Sequence, residues 1–307
     1  MNGPIVKVID LVPGKVSDLP TREASSLDED SFAAEFVSKH KPVLIRGAAG
    51  GWPAIEKWRA SGYLESRCGD DAIKVSRTFN PLPAKLYYRS AIKKKKLRDV
   101  IVEMREASPE TTYSIPASRV PDRWAEDLGH YSFLGRKLDQ PPRHHPRRRL
   151  FIYRNASTDW HYHPTDETLT TQIIGSKRVS TFRLTAGNWR SVAEPLEYNF
   201  HHIGSGKEFF RENVALEKFE GTLEPGDALY LPPFWWHGVD TADTGFGITL
   251  AYCFRTPLRR IGDWREPATR AMLGRILKER IFMLPPAIGL IAMSSLSRSF
   301  GRENWYR

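Results

Sequence analysis

The spacing of apolar residues predicts helices mixed with strands in the first part of the chain. In DEDSFAAEFVSKH, acids come first and apolar residues follow at helical spacing, which predicts a helix. The next segment, KPVLIRGAAGGWPAIEKW, begins with a buried strand, Pro42 to Ile45, that glycines interrupt. AIKVSRTF (72–79) and TTYSIPA (111–117) have the composition of strands, and LRDVIVEMREA (97–107) has an apolar helical face.

From residue 150 onward the pattern changes to short β-type runs. These are LFIYRNAS, TLTTQIIG, KRVSTFRL, DALYLPP and GITLAYCF, separated by turn signals such as EPGD (224–227). Many short strands joined by turns are typical of a double-sheet jelly roll or barrel. Residues 118–148, rich in Pro, Arg and His, predict an irregular excursion before it. The sequence therefore predicts a mainly β fold.

The C-terminal segment predicts a helix in EPATRAMLGRILKERIF, followed by an apolar stretch that contains Pro and Gly. Its apolar residues are numerous enough for an extensive buried face; they are Met272, Leu273, Ile276, Leu277, Ile281, Phe282 and Leu284. We divide the chain into an N-terminal extension (1–29), a main domain (30–260) and this C-terminal helical segment (261–307).

The composition is that of a globular protein without a membrane segment, 40% apolar and 27% charged. Cys68 and Cys253 form no CxxC pair and no disulfide framework, so we expect a reducing compartment such as the cytoplasm. The N-terminus lacks the basic and apolar regions of a signal peptide. The longest apolar run, IFMLPPAIGLIAM (281–293), is too short for a membrane span, and two prolines interrupt it.

The 307-residue chain carries a net charge of +10, from 46 basic and 36 acidic residues. Two clusters, KKKKLR (93–98) and RKLDQPPRHHPRRR (136–149), account for much of this excess. They would suit an acidic or nucleic-acid partner, or they are solvated surface charge. Neither cluster has the interleaved aromatic residues of a single-strand binding surface, so RNA is a less favoured partner than a protein, peptide or small molecule.

Two histidines in STDWHYHPTDET are the first candidates for chemistry. Residues two apart on a strand share a face, so His161 and His163 would present their imidazoles together while Tyr162 faces away. Such a pair repels when protonated and is naturally held by a metal ion. A third histidine, His237 in YLPPFWWHGV, would complete a three-residue face if the fold brings the two strands together.

Three segments resemble the cupin-like Jumonji-C hydroxylases, the group that contains the asparaginyl hydroxylase that inhibits hypoxia-inducible factor. They are PVLIRGAAGGWPAIEKW, HYHPTDETLTTQIIGSKR and LEPGDALYLPPFWWHGV, which follow in the family's order within about residues 30–260. The resemblance implies a double-stranded β-helix (jelly roll, cupin) core with helices at both ends. It also implies the use of Fe(II), 2-oxoglutarate and O₂.

The resemblance assigns a role to each matching residue. His161 falls on the first iron ligand and His237 on the distal one. Lys177, Thr158 and Tyr113 fall on the groups that hold the far carboxylate of 2-oxoglutarate. A cation and two hydroxyls in a semi-buried pocket would give that carboxylate charge-assisted hydrogen bonds. The alternatives are that Lys177 is a surface lysine at a strand end and that Thr158 and Tyr113 reflect ordinary strand composition.

Three positions depart from the family pattern. The second iron ligand, an aspartate or glutamate in the family, is replaced by His163. Thr168 and Ala251 each stand where relatives carry an asparagine, which alters the polar support around the 2-oxoglutarate carboxylate nearest the metal. One extra residue lies in the 164–167 turn, so Asp166 could instead bind the metal or orient His163. The site is therefore a three-histidine site, a site with Asp166 as ligand, or no catalytic metal site.

The resemblance implies a 2-oxoglutarate-dependent dioxygenase that hydroxylates a C–H bond of a protein, peptide, tRNA or small molecule. The alternative is a non-catalytic cupin-like binding or scaffold protein that has lost competent iron chemistry. In similar hydroxylases the C-terminal helices form a homodimer, so the apolar C-terminal face either makes a homodimer or packs on its own barrel.

Overall fold

In the computed structural model the protein is mainly β, as predicted, and its strands form two sheets. The structure describes residues 7–68, 72–79, 92–109, 111–142, 145–163, 166–183, 216–243 and 245–256, with 277, 281–285, 288–289 and 292 of the C-terminal segment. The two sheets pack against each other, as in a jelly roll, and the space between them contains the candidate site.

The smaller sheet has five strands in the order β1-β11-β10-β13-β8. Their bounds are Lys15–Asp18 (β1), Thr158–His161 (β8), Lys177–Arg183 (β10), Glu217–Leu223 (β11) and Trp235–Thr241 (β13). All neighbours are antiparallel except β1 and β11.

The larger sheet has nine strands in the order β2-β3-β12-β9-β14-β7-β6-β4-β5. Their bounds are Thr21–Glu23 (β2), Val43–Arg46 (β3), Ala72–Phe79 (β4), Ile92–Lys96 (β5), Thr111–Arg119 (β6), Arg148–Arg154 (β7), Glu167–Ile174 (β9), Ala228–Leu231 (β12) and Phe246–Phe254 (β14). Only β2 and β3 run parallel. The expected N-terminal extension thus contributes one strand to each sheet.

The helices that lie wholly within the described residues are short and belong to the N-terminal part of the chain. They are Glu29–Phe32 (α1), Pro53–Lys57 (α2), Tyr63–Arg67 (α3), Leu97–Glu106 (α4) and Asp122–Ala125 (α5), with 3₁₀ turns at Val8–Leu11, Ala24–Ser26 and Ile281–Met283. Asp28 caps α1 by accepting a hydrogen bond from the Ser31 amide. The predicted helix continues as a π-helical turn, Ala33–Val37.

Alternation along the central strands gives the larger sheet two different faces. On β7, Leu150 and Ile152 are fully buried in the main hydrophobic core with the residues of the N-terminal helices. The residues that alternate with them, Phe151 and Tyr153, face the smaller sheet. Part of this inner space is apolar, with Leu44, Val179, Leu223, Leu229 and Val239 in one cluster. The rest is polar and forms the candidate site.

The outer face of the smaller sheet is covered by the N-terminal 3₁₀ turn. Trp160 packs against Phe182, and its indole N–H donates to the Val8 carbonyl at 2.8 Å. The Asp240 carboxylate accepts the backbone N–H groups of Val8 and Ile9, each at 3.0 Å. These bonds satisfy the first amides of the turn and fix the outer side of the strands that carry the histidines.

Several expectations fall outside the described residues. They include most of the predicted C-terminal helix, with Met272, Leu273 and Ile276. Four described apolar residues of that segment are exposed, Leu277, Ile281, Phe282 and Ile288, and the homodimer stays a prediction. No helix among the described residues has the length and apolarity needed to cross a bilayer. The strand β11 was not predicted.

The two basic clusters are partly neutralised within the chain. Lys95 pairs with Glu103 of α4 at 2.6 Å, whereas Lys94 and Lys96 are exposed. In the second cluster Arg147 pairs with Asp139. The partner of these clusters stays a prediction.

One buried acid closes the end of the larger sheet. Glu167 begins β9, and its carboxylate accepts hydrogen bonds from the backbone N–H and the hydroxyl of Thr256, just beyond β14. The Tyr230 hydroxyl lies at 3.5 Å. Burial raises the pKa of Glu167 from 4.5 to about 7, since these bonds only partly offset the loss of hydration.

Replacing Glu167 with glutamine should remove a pH-dependent part of the stability. The folded state holds the proton more tightly than the unfolded state, so this group's contribution falls as pH rises from about 4.5 to 7 and stays low above 7. Between pH 5 and pH 8 the wild type should lose up to about 3 kcal/mol of unfolding free energy more than Glu167→Gln. Urea denaturation at both pH values measures this difference.

The matched control for this experiment is Glu217→Gln, because Glu217 begins a strand but is exposed. This variant should keep the wild-type pH dependence. Parallel pH profiles for the wild type and Glu167→Gln would contradict the assignment.

Candidate metal and cosubstrate site

Three histidines converge in the space between the sheets. His161, His163 and His237 each offer one ring nitrogen, and these nitrogens lie within 4.8 Å of one another. The ring centroids are 4.1 Å apart for His161 and His237, and 5.0 to 5.2 Å for the pairs that include His163. His237 is buried, and the other two are half-buried. Three imidazoles at such distances can close on one divalent metal ion.

The register of the smaller sheet places two of these rings side by side. His237 of β13 is paired directly with His161 of β8, so both side chains lie on the inner face. His163 lies two residues beyond the end of β8. The strand argument from the sequence thus holds for His161 alone, and the chain after the strand brings His163 to the group.

Hydrogen bonds orient two of the rings. The Nδ1 atom of His237 lies 3.0 Å from the Trp235 carbonyl, which requires a proton on Nδ1 and leaves Nε2 to face a metal. The Nδ1 atom of His163 lies 2.9 Å from the Thr168 hydroxyl. Burial lowers the pKa of His163 well below its usual range, and the neighbouring His237 and His161 lower it further. His163 is therefore neutral, the form that binds metals.

Asp166 lies outside the group of three imidazoles. Its carboxylate is fully buried and accepts the backbone N–H of His145 at 3.0 Å. The structure therefore supplies His163 where a carboxylate was an alternative, and Asp166 ties two loops together. The ring of His145, which was not singled out from the sequence, lies 5.5 Å from the ring of His163.

Lys177 is a buried cation at the other end of the same inner face. It is paired with Thr241 of β13, four residues from His237, and its ammonium lies 4.0 Å from the centre of the Tyr153 ring. Among the described residues no carboxylate forms an ion pair with it. Burial lowers the pKa of Lys177 from 10.5 to about 7, because the charged form loses its hydration. An unpaired buried cation is what an anionic ligand requires.

Tyr153 can lie beneath Lys177 because residue 247 is a glycine. Gly247 is paired directly with Tyr153, and a Cβ atom at Gly247 would lie 2.2 Å from the tyrosine ring. The Tyr153 hydroxyl accepts a hydrogen bond from the Gln172 amide at 2.7 Å, and the Thr249 hydroxyl donates to the same amide group at 2.8 Å. Sequence reasoning missed this polar wall, which only the alternation along β7, β9 and β14 could have indicated.

The remaining predicted residues fall in different places. Thr158 is half-buried and is paired with Val239, so a bulge in the β8–β13 register puts it on the inner face with His161. Thr168 is fully buried, and its hydroxyl is taken up by His163. It therefore lies against a candidate metal ligand, where a contact to the cosubstrate was expected.

The structure does not bring Tyr113 to Lys177. Tyr113 of β6 is paired with Arg154, and its hydroxyl donates to Glu103 of α4 at 2.5 Å. The next residue, Ser114, is the one paired with Tyr153. Successive residues of a strand face opposite sides of the sheet. Tyr113 therefore lies on the helix-covered face, away from the Tyr153 ring and Lys177.

Comparison with known proteins agrees with this architecture. The family model of the cupin-like domain matches residues 29–260. The chain is 25% identical to the arginine-specific demethylase JMJ22 of Arabidopsis thaliana, over 80% of this chain and 48% of that protein. It is 22% identical to the Jumonji C domain-containing protein 5 of Drosophila melanogaster, over 76% of this chain and 59% of that protein.

A third relative is the tRNA wybutosine-synthesizing protein 5 of Danio rerio, 21% identical over 74% of this chain and 73% of that protein. The chain thus spans about half of the first two relatives and most of the third. The asparaginyl-hydroxylase subgroup stays a prediction. The family model covers well over half of the chain and the fold agrees with it, so the chain belongs to the cupin-like domain family, of the Jumonji-C type.

Proposed function

We propose that this protein is an Fe(II)- and 2-oxoglutarate-dependent oxygenase that hydroxylates a C–H bond. The observation that carries the proposal is one cavity face with three converging imidazoles at one end and the unpaired buried cation Lys177 at the other. The three relatives are named as a demethylase, a Jumonji C domain-containing protein and a tRNA wybutosine-synthesizing protein. These names support an oxidative role and leave the substrate class open.

The residues present fit both groups. His161, His163 and His237 would hold the metal, with His163 in the place of the family's carboxylate. Lys177 would bind the far carboxylate of 2-oxoglutarate over Tyr153, with Thr158 on the same face. Bound Fe(II) would activate O₂, the oxidant, and 2-oxoglutarate would supply two of the electrons for its reduction, with succinate and CO₂ as the products.

The chain's own contribution is orientation and exclusion of water. The Trp235 carbonyl and the Thr168 hydroxyl fix the ring planes of His237 and His163, and so the open side of the centre. The Gln172–Tyr153 bond holds the platform under Lys177. The fully buried outer face of the larger sheet keeps solvent from reaching this cavity from behind.

A non-catalytic binding protein is the second candidate, and the observation that favours it is the missing carboxylate. Three neutral imidazoles cancel none of the metal's charge and donate less strongly than a set with a carboxylate. Such a protein would keep the cavity and bind an anion through Lys177 without turnover.

Reconstitution under anaerobic conditions separates the two candidates. The protein is loaded with Fe(II), 2-oxoglutarate binding is measured by calorimetry, and O₂ is then admitted while succinate is quantified with a broad panel of proteins, peptides, tRNA and small molecules. An oxygenase should bind one metal equivalent and form succinate above the metal-free background. Binding without any succinate would establish the binding protein instead.

Metal binding should depend on His163 and be independent of Asp166. His163→Ala removes one of three ligands and should abolish stoichiometric Zn(II) or Fe(II) binding. Asp166→Asn keeps a side-chain oxygen that can accept the backbone N–H of His145, and this variant should retain one equivalent of metal. Thr168→Val removes the partner of Nδ1 and should weaken metal affinity by about 10- to 100-fold. Metal content and competition with a chelator measure these effects. Loss of metal in Asp166→Asn alone would assign the ligand role to Asp166.

Binding of 2-oxoglutarate should take up a proton through Lys177. In the protein without a bound anion the pKa of Lys177 is about 7, so its side chain is largely neutral at pH 8. A bound carboxylate should raise this pKa and return the proton to the amine. Titrations of the Zn(II)-loaded protein at pH 8, in buffers of different ionisation enthalpy, should show uptake of nearly one proton and an affinity that falls as pH rises above 7.

Lys177→Met should abolish this proton uptake and weaken binding. The control is Arg178→Gln, since Arg178 is the next residue, is exposed and pairs with Glu220 outside the cavity. Equal proton uptake by wild type and Lys177→Met would exclude Lys177 as the group that recharges.

A further inference from the structure

Arg149 is a basic residue that faces the cavity although it belongs to the basic cluster 136–149. It is paired directly with Ala251 on β14, and alternation along β7 puts it on the same inner face as Phe151 and Tyr153. Ala251 has only a methyl group, so the long side chain has room to lie across this position.

The guanidinium has few partners of its own. One terminal nitrogen lies 3.4 Å from the Cys253 sulfur, and the group lies 5.7 Å from the centre of the Phe151 ring. Its Nε atom is buried without a hydrogen-bond partner. Burial raises the pKa of the Cys253 thiol, so the thiol stays neutral and does not balance the charge. No acid among the described residues forms an ion pair with Arg149.

Arg149 lies at the metal end of the cavity. Cys253, which it touches, is 3.8 Å from the Thr168 hydroxyl, and this hydroxyl contacts His163. The Lys177 ammonium lies over the ring of Tyr153. Tyr153 is four residues further along β7 than Arg149, so the two backbone positions are roughly 13 Å apart. Arg149 and the position beneath Lys177 therefore belong to different ends of β7.

We propose that Arg149 binds a carboxylate at the metal end of the cavity, with its guanidinium as the donor. This inference rests on the proposed function and deepens it. The carboxylate comes either from 2-oxoglutarate, from the end nearest the metal, or from an acidic substrate. Arginine suits this role because its planar group can donate two parallel hydrogen bonds to one carboxylate. Ala251, which is paired with Arg149 and has only a methyl side chain, leaves space beside the guanidinium.

The test compares wild type with Arg149→Gln, Arg149→Lys and Arg148→Gln. Arg148 is the matched control, because it is the neighbouring residue on β7 but faces outward, over the Tyr252 ring and towards the Gly129 carbonyl. Zn(II)-loaded protein is titrated with 2-oxoglutarate by calorimetry. The protein saturated with Zn(II) and N-oxalylglycine, an unreactive analogue of 2-oxoglutarate, is then titrated with N-acetylaspartate and with its uncharged counterpart N-acetylasparaginamide. Melting temperatures verify that each variant folds.

A charge-assisted pair of this kind changes affinity by about 10- to 100-fold. If Arg149→Gln loses this much affinity for 2-oxoglutarate, with partial recovery in Arg149→Lys and none lost in Arg148→Gln, the carboxylate belongs to the cosubstrate. If 2-oxoglutarate binds equally but N-acetylaspartate binds only when Arg149 is present, and N-acetylasparaginamide does not bind, the carboxylate belongs to an acidic substrate.

Equal binding of both ligands by wild type and Arg149→Gln would overturn the proposal, as would an equal loss in Arg148→Gln. Failure of the proposed function looks different, since the wild type itself would then bind neither metal nor 2-oxoglutarate. In that case N-acetylaspartate is titrated into the metal-free wild type and Arg149→Gln. A difference between the two supports Arg149 as an anion-binding residue, and no difference overturns it.

Discussion

The antiparallel register around β13 is the constraint on which the candidate site depends. It sets His237 opposite His161 on one side and Thr181 on the other, and it puts Lys177 on the same face four residues away. A slip of one residue would turn every inner side chain outward, since strand side chains alternate. The buried stack on the outer face, where Phe182 and Trp236 lie parallel at 6.0 Å, opposes such a slip by filling that face with large rings.

Charge is the second organising feature of the cavity. Its described walls carry Lys177 and Arg149 together with three imidazoles, and the nearest buried acid, Asp166, is directed to the backbone of His145. A divalent ion at the imidazoles would add two further positive charges without any carboxylate ligand to offset them. Such a cavity is stabilised when it takes up anions, and the dianion 2-oxoglutarate alone would leave positive charge over. This excess positive charge is the physical basis of the proposal that Arg149, like Lys177, binds a carboxylate.

The sequence was sufficient for the fold class and for the grouping of the three histidines, because each depends on local motifs with fixed spacing, whereas the roles of these histidines and of Lys177 stay predictions. It was insufficient where long-range pairing decides. Tyr113 was expected in the pocket, but the β6–β7 register directs it to Glu103. Arg149 was not separated from the rest of the basic cluster 136–149, because a run of three arginines does not show which one faces inward. His163 reaches the metal group from beyond the strand end, a path that strand periodicity does not describe.

The replacement of the family's carboxylate ligand by His163 and the replacement of the family's asparagine by Thr168 are physically linked. A carboxylate ligand can bind a metal with one oxygen and accept a side-chain amide proton with the other, which suits a nearby asparagine. An imidazole that binds through Nε2 instead presents a proton on Nδ1 and needs an acceptor there. Thr168 supplies that acceptor at 2.9 Å in the place of the family's asparagine. His163 and Thr168 thus form the pair of ligand and acceptor that the proposed three-histidine centre requires.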